Sequence, residues 1–143
     1  MIGSLTAFFL KHYMKKTMNK FIALAVAVLF LYWWYVPAAP SETKYSITSQ
    51  AQMDAFLKQD STKVLMLHAP WCGYCQSVKP DALNVARQTG RLMFVDGDTA
   101  FGHTLMQTYG ANAFPTFVQF NKVGEKTGLQ AGIPEKGIAH LLQ

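Results

Sequence analysis

Residues 69–80 read APWCGYCQSVKP and contain both cysteines of the 143-residue chain. Cys72 and Cys75 are separated by two residues, Trp71 precedes the pair, and Pro80 follows Cys72 by eight residues. Two cysteines at this spacing fit a redox couple, part of a metal site or two buried side chains. The sequence on either side of the pair has to distinguish these possibilities.

An apolar strand pattern precedes the cysteines, and a helical pattern follows them. Residues 63–68, KVLMLH, form the continuous apolar run that is typical of a central strand buried on both faces. Cys72 opens a predicted helix that runs to about Gln88 and is kinked at Pro80. The pair is therefore predicted to lie where a buried strand ends and a helix begins.

The remaining patterns extend this unit into an α/β fold with an antiparallel end. The predicted elements are a short edge strand at residues 45–47, a helix over 50–59, the strand 63–68, the helix 72–88, a strand at 91–96, a helix at 101–109, a strand at 116–121, a hairpin strand at 126–132 and a last helix from Pro134. A chain of this length can bury one modest core, so we expect a single folded domain.

The position at the start of a helix gives the two sulfurs different roles. The first residues of a helix have unpaired N–H groups and a partial positive charge, and both stabilise a thiolate. We therefore expect Cys72 to be the attacking sulfur. Cys75, one turn further on, can attack a mixed disulfide at Cys72 and release the partner.

These features together resemble the thioredoxin family. The resemblance rests on APWCGYC followed by Pro80, on FPT at residues 114–116, and on the strand hairpin and helix after it. It covers about residues 43–143 and implies a thioredoxin fold, in which helices flank a mixed central sheet. It also implies a redox-active Cys72–Cys75 disulfide that needs no diffusible cofactor and no metal.

The resemblance assigns further residues to substrate binding. It implies that the peptide bond of Pro115 is cis and that Pro115 faces the cysteines, with Phe114 before it. Trp71, Phe114 and Pro115 are then expected to form a platform for the substrate chain. Gly73 and Tyr74 set the geometry of the active-site loop, where glycine allows a substrate backbone to approach closely.

The sequence departs from cytosolic thioredoxins near this site. Met66 stands where those proteins have a buried aspartate that moves protons to and from the second cysteine, and RLMFVD at residues 91–96 has no lysine to pair with such an acid. Another group or water must then serve Cys75, and His68 is a possible proton partner. The CGYC sequence is similar to that of periplasmic disulfide isomerases, which carry a separate dimerisation domain.

A structural or metal-binding role suits the cysteine pair less well. A structural disulfide across two intervening residues closes a very small loop and would stabilise little. Zinc normally takes four ligands, and the chain has no second CxxC. Covalent haem attachment would need histidine where Gln76 stands. A Cu(I)-handling protein that uses the two thiolates, with His68 or a methionine, remains an alternative.

The positive charge of the chain belongs to its N-terminus. Residues 1–20 carry four lysines and no acid, whereas nine Lys or Arg residues accompany eight acids from residue 41 onward. The folded part is therefore nearly neutral, and it has no basic cluster with interleaved aromatics of the kind that binds nucleic acid. We expect no nucleic-acid partner.

An apolar segment follows the lysines. Residues 21–36, FIALAVAVLFLYWWYV, are uncharged, and as a helix they would span about 24 Å, slightly short of a hydrocarbon core of roughly 30 Å. We predict a basic cytoplasmic segment at 1–20, a single transmembrane anchor or signal segment at 21–36, a linker at 37–43 and a thioredoxin-like domain at 44–143. The alternative to an anchor is a cleaved signal peptide, which would leave a soluble periplasmic domain.

Together these features predict a thiol–disulfide oxidoreductase at the bacterial inner membrane, with its domain in the periplasm. We expect it to act as a reductase on exported proteins with cysteine pairs, for example in cytochrome maturation. Its redox partner would be a transmembrane thiol reductant, or a quinone-linked oxidase if electrons flow the other way. The alternatives are an oxidase or isomerase, and a non-catalytic binding module.

Overall fold

The computed structural model describes residues 20, 22–32 and 41–143. Residues 22–32 form helix α1. Within the described ranges, no helix combines the length and the apolar character that crossing a membrane requires. Most of the predicted basic segment at 1–20, both ends of the predicted anchor at 21–36 and residues 37–40 of the predicted linker lie outside the described residues.

Ser41–Gln143 form one compact unit that contains a mixed four-stranded sheet. Its elements are a 3₁₀ helix Glu42–Tyr45, α2 Gln50–Leu57, β1 Lys63–His68, α3 Gly73–Thr89, β2 Leu92–Asp96, α4 Ala100–Tyr109, β3 Thr116–Phe120, β4 Lys126–Ala131 and a second 3₁₀ helix Ile138–Leu142. The strand order is β2-β1-β3-β4, in which β1 pairs parallel with β2 and antiparallel with β3. The predicted α/β architecture is confirmed.

Strand β1 is the centre of the sheet and is buried along its whole length. Its side chains alternate between two apolar clusters, one on each face of the sheet. Val64 and Met66 pack with residues of α3 and of the second 3₁₀ helix, whereas Leu65 and Leu67 pack with residues of α2 and α4. The uninterrupted apolar run of the sequence arises because both faces of β1 are covered.

Two predicted elements differ from the structure. The expected edge strand near Tyr45 is a 3₁₀ helix followed by a single bridge from Ser46 to Phe94. Only two residues separate this bridge from Ser49, which caps the start of α2 and leaves no room for a longer strand. The expected last helix is only the five-residue 3₁₀ helix, which begins after Gly137 at a φ of 81°. Glu42 and Thr43, predicted as linker, belong to the first 3₁₀ helix.

Candidate active site

Cys72 occupies the N-cap position of α3, directly after the loop that follows β1. Its backbone is extended, with φ −77° and ψ 110°, and its Sγ accepts a hydrogen bond of 3.1 Å from the backbone N–H of Cys75. An N-cap side chain normally satisfies one of the free N–H groups of a helix, and a negative charge is favoured there. The sulfur of Cys72 thus lies at the N-terminus of α3 and caps it.

Cys75 lies one turn into α3 and is less accessible than its neighbour. Its side chain is 2% exposed, and the structure describes both cysteines as free thiols. Burial, together with a hydrogen bond to Cys72, raises the pKa of Cys75 to about 12. The two sulfurs therefore differ in their surroundings, since Cys75 is buried and holds its proton whereas Cys72 caps the helix.

A cavity of about 380 Å³ opens beside Cys72 and not beside Cys75. It brings together most of the residues that the sequence assigned to catalysis or substrate binding. Its walls are formed by Trp71, Cys72, Gly73, Tyr74, Met106, Asn112, Ala113 and Phe114. Met106, Asn112 and Ala113 were not predicted, because they come from the end of α4 and the loop after it, where no motif marks them.

The Trp71 side chain is 69% exposed and is fixed in place by two contacts. Its Nε1–H donates a 2.5 Å hydrogen bond to Oδ2 of Asp98, and its ring meets the Phe114 ring edge-on at 5.8 Å between centroids. An exposed aromatic ring with its polar edge satisfied can serve as a rigid contact surface. No local pattern in the sequence indicates the contact between Trp71 and Asp98.

The Phe114–Pro115 peptide bond is cis, as the resemblance implied. Phe114 reaches over Gly97, where a Cβ atom would lie only 2.4 Å from the phenyl ring. The glycine therefore makes room for the aromatic wall of the cavity. The carbonyl of Pro115 accepts a hydrogen bond of 2.8 Å from the N–H of Gly132, which ties this loop to the end of β4.

His68 ends β1 on the same face of the sheet as Met66 and α3, and its side chain is not among the walls of this cavity. It is 6% exposed, and its Nε2 lies 3.2 Å from Oε1 of Glu42. The other oxygen of Glu42 contacts Nζ of Lys79 on α3. The sequence indicated His68 as a possible proton partner, but it gave no sign of Glu42 or Lys79.

No cluster of three or more His, Cys, Asp or Glu side chains suited to a metal ion occurs in the part of the chain that the structure describes.

Comparison with known proteins identifies the family of this chain. The family-wide pattern named Thioredoxin matches residues 44–143. The chain belongs to the thioredoxin family. Thioredoxin from Echinococcus granulosus is 32% identical over 91 residues, which cover 64% of this chain and 84% of that protein. Protein disulfide-isomerase A5 from Mus musculus is 32% identical over 97 residues, and the match spans only 17% of its length.

Solved structures agree with this assignment. A mutant thioredoxin from Halobacterium salinarum superimposes with a TM-score of 0.57 at 25% identity, over 64% of this chain and 79% of that one. Thioredoxin from Fasciola hepatica, at 23% identity and a TM-score of 0.55, supports the fold over 64% of this chain and 88% of that one. The relatives of this thioredoxin-family chain thus include both thioredoxins and a protein disulfide-isomerase.

Proposed function

We propose that this thioredoxin-family protein reduces disulfides in exported proteins through Cys72 and Cys75. The proposal depends chiefly on the different surroundings of the two sulfurs. Cys72 lines the cavity and caps a helix, whereas Cys75 lies behind it with its pKa raised by burial. Cys72, although only 6% exposed, therefore meets a substrate that enters the cavity, and Cys75 completes the exchange from behind it.

The chemistry follows from this arrangement. The thiolate of Cys72 attacks one sulfur of the substrate disulfide, so that a mixed disulfide forms and one substrate thiolate leaves. Cys75 then loses its proton and attacks the sulfur of Cys72. The Cys72–Cys75 disulfide forms, and the second substrate thiolate leaves. Two electrons pass to the substrate, and the protein ends as the disulfide.

The walls of the cavity support a protein chain as the substrate. Trp71 and Phe114 present an aromatic surface on one side of Cys72, and Gly73 has no atom within 4 Å of the position where a Cβ would stand. An extended peptide can thus pass close to the sulfur of Cys72. Contacts of this kind recognise backbone and apolar surface more than one particular sequence.

The basic and apolar segments at residues 1–36 support an exported location. A reductase in an oxidising compartment must be supplied with electrons, so the proposal includes a transmembrane thiol reductant as partner. The match to a protein disulfide-isomerase favours a second candidate, in which the same pair oxidises or isomerises disulfides and is reoxidised by a quinone-linked oxidase.

A trapping experiment tests the proposal. The full chain with Cys75→Ala is expressed in a bacterial host, and thiols are alkylated on lysis. We expect mixed disulfides with exported proteins, which the matched Cys72→Ala/Cys75→Ala variant cannot form. Absence of trapped partners would contradict the proposal. In the wild-type chain, a pair that is mostly dithiol in the cell supports the reductase, whereas a pair that is mostly disulfide supports the oxidase.

A further inference from the structure

The proposed mechanism requires a base for Cys75, and the following inference rests on that proposed function. Cys75 is 2% exposed, and burial holds its proton in place. A thiol must become a thiolate before it can attack a disulfide. Because bulk water does not reach this side chain freely, the proton has to pass to a group inside the protein or to water held next to it.

Few buried side chains could accept the proton of Cys75. Among the described residues, the buried basic side chains are those of Lys63 and His68. Lys63 stands at the opposite end of β1 and donates to backbone carbonyls there. His68 stands at the end of β1 that leads to the cysteines. Met66, two residues earlier and on the same face, is apolar and cannot take a proton.

The packing places His68 against the apolar cluster that contains the buried thiol of Cys75. The His68 ring meets the ring of Phe94 edge-on at 5.9 Å, and Phe94 belongs to the same apolar cluster as Met66 and Cys75. Lys79 follows Cys75 by one helical turn, and side chains four residues apart on a helix are neighbours, with Cβ atoms about 6 Å apart.

Glu42 links the His68 side chain on the sheet to the Lys79 side chain on α3. One of its carboxylate oxygens contacts His68 on the sheet, and the other contacts Lys79 on α3. A cavity of about 510 Å³ adjoins the three side chains and is also lined by Asp96 and Pro70. It has room for several water molecules between His68 and solvent.

We propose that His68, oriented by Glu42 and Lys79, takes up the proton of Cys75, directly or through one water molecule, while Cys75 resolves the mixed disulfide. A carboxylate only accepts hydrogen bonds, so the neutral His68 ring carries its hydrogen on Nε2, toward Glu42. Nδ1 is then the basic nitrogen. His68 acts here on Cys75 and not on the substrate.

The charges around His68 suit this role. Burial lowers the pKa of His68, Glu42 on the first 3₁₀ helix raises it, Lys79 on α3 lowers it, and Asp96 on β2 raises it. Since burial has the largest effect, the imidazole is neutral near pH 7 and ready to accept a proton. After the step, the carboxylates of Glu42 and Asp96 favour the imidazolium, which returns its proton to the cavity water.

Every proton and every bond in this step is accounted for. Cys75 S–H gives its proton to Nδ1 of His68, and the resulting thiolate attacks Sγ of Cys72. The Cys72–Cys75 bond forms while the bond from Cys72 to the substrate sulfur breaks, and the substrate leaves as a thiolate. The imidazolium then loses the proton to water, which protonates the leaving thiolate. No further oxidant or reductant takes part.

A two-phase reaction with dithiobis(nitrobenzoate) separates this step from the first attack. The reduced full chain releases one coloured thiolate when Cys72 attacks the reagent and a second one when Cys75 resolves the mixed disulfide. His68→Gln keeps a donor toward Glu42 and removes the basic nitrogen. The matched control is His103→Gln, which changes an exposed histidine on α4.

We expect the first phase of His68→Gln to match the wild type and the second phase to slow at least tenfold near pH 7, since general bases contribute roughly 10²- to 10⁴-fold. In the wild type, the rate of the second phase should level off above the pKa of His68. In His68→Gln, it should keep rising about tenfold per pH unit, as hydroxide replaces the lost base.

Two further variants keep the test valid if His68→Gln does not fold. Lys79→Met should move the midpoint of the wild-type pH profile upward, and Glu42→Gln should move it downward, because these charges lower and raise the pKa of His68 respectively. A role in folding alone would not produce shifts of opposite sign.

A second phase that keeps the wild-type rate and pH profile in His68→Gln would overturn the inference and leave the proposed function intact. Unmoved midpoints in both charge variants would also overturn it. Loss of the first phase in the wild-type protein would instead contradict the proposed function, and this inference with it.

Discussion

The ammonium group of Lys63 shows how one buried charge can hold two elements together. The side chain is 1% exposed, and Nζ donates to the carbonyls of Leu57 at 2.9 Å, Gln59 at 2.7 Å and Asn121 at 3.2 Å. Leu57 ends α2, and Asn121 follows β3. Burial lowers the pKa of Lys63, and Asp60 opposes that effect. The carbonyls replace the water that the ammonium loses.

Lys63→Met should therefore destabilise the domain although methionine fills a similar volume. Four carbonyl groups, including that of Lys122 at 3.5 Å, would lose a charged donor, and we expect the free energy of unfolding to fall by about 2 kcal/mol. Urea unfolding measures the change, with Lys58→Met as the matched control on an exposed lysine of the same region. If both variants lost the same free energy of unfolding, the contacts of Lys63 with the carbonyl groups would make no specific contribution to stability.

His68 should also make stability depend on pH. Its pKa in the folded protein lies below the ordinary value of 6.5, so the unfolded chain takes up the proton first as pH falls. The free energy of unfolding should thus decline from about pH 6.5 down to the folded pKa and remain level, for this group, on either side. In denaturant titrations, His68→Gln should lack this decline and His103→Gln should retain it. If the free energy of unfolding of His68→Gln declined by the same amount, the decline would have to arise from other titratable groups.

At the scale of elements, glycines set how closely α4 approaches β2. A Cβ atom on Gly102 would lie 1.9 Å from the carbonyl oxygen of Asp96 and 2.8 Å from the Cα of Gly97. Both neighbours are backbone atoms and cannot turn aside. The short distance between α4 and the end of β2 therefore depends on Gly102.

Gly102→Ala should destabilise the domain even though alanine normally favours a helix. We expect a loss of about 2 kcal/mol from overpacking, against a gain of roughly 1 kcal/mol or less from helix propensity. Thermal or urea unfolding measures the net change, and Gln107→Ala on the exposed face of α4 is the control. A more stable Gly102→Ala variant would contradict the packing described here.

The sequence predicted elements best where a local pattern and tertiary packing agree. Strand β1 was recognised because its continuous apolar run matches burial on both faces. The first 3₁₀ helix was not predicted because its four residues, ETKY, are too few to show a hydrophobic periodicity. Its Glu42 is held in place by His68 and Lys79, which are distant in the sequence. Ile138, Leu141 and Leu142 have a spacing that fits a single 3₁₀ turn as well as an α-helix.

At the scale of the whole molecule, the site is assembled at one end of the sheet. Cys72 follows β1, Asp98 follows β2, and Phe114 precedes β3, which runs antiparallel to β1. The motifs at residues 72–75 and 114–116 were visible in the sequence, and the resemblance predicted that they meet. The bond from Trp71 to Asp98 joins residues 27 positions apart and follows from no local pattern.

The location of the protein remains a prediction from residues 1–36. If residues 21–36 anchor the chain with its domain outside the cytoplasm, the full chain should sediment with the membranes of a Gram-negative host. Protease added to spheroplasts should then digest the domain at 44–143. A domain that is released freely with the periplasm would indicate a cleaved signal segment, and a domain protected until lysis would contradict export.

The most direct test of the central claim measures what happens to the two cysteines when a substrate disulfide opens. Reduced full chain is mixed with an equal amount of a disulfide-bonded peptide, the reaction is stopped with acid, and both products are analysed by intact mass and peptide mapping. We predict one peptide disulfide reduced for each Cys72–Cys75 disulfide formed, with no opening by the Cys72→Ala variant. Peptide reduction without formation of that bond, or reduction by Cys72→Ala at the wild-type rate, would contradict the account.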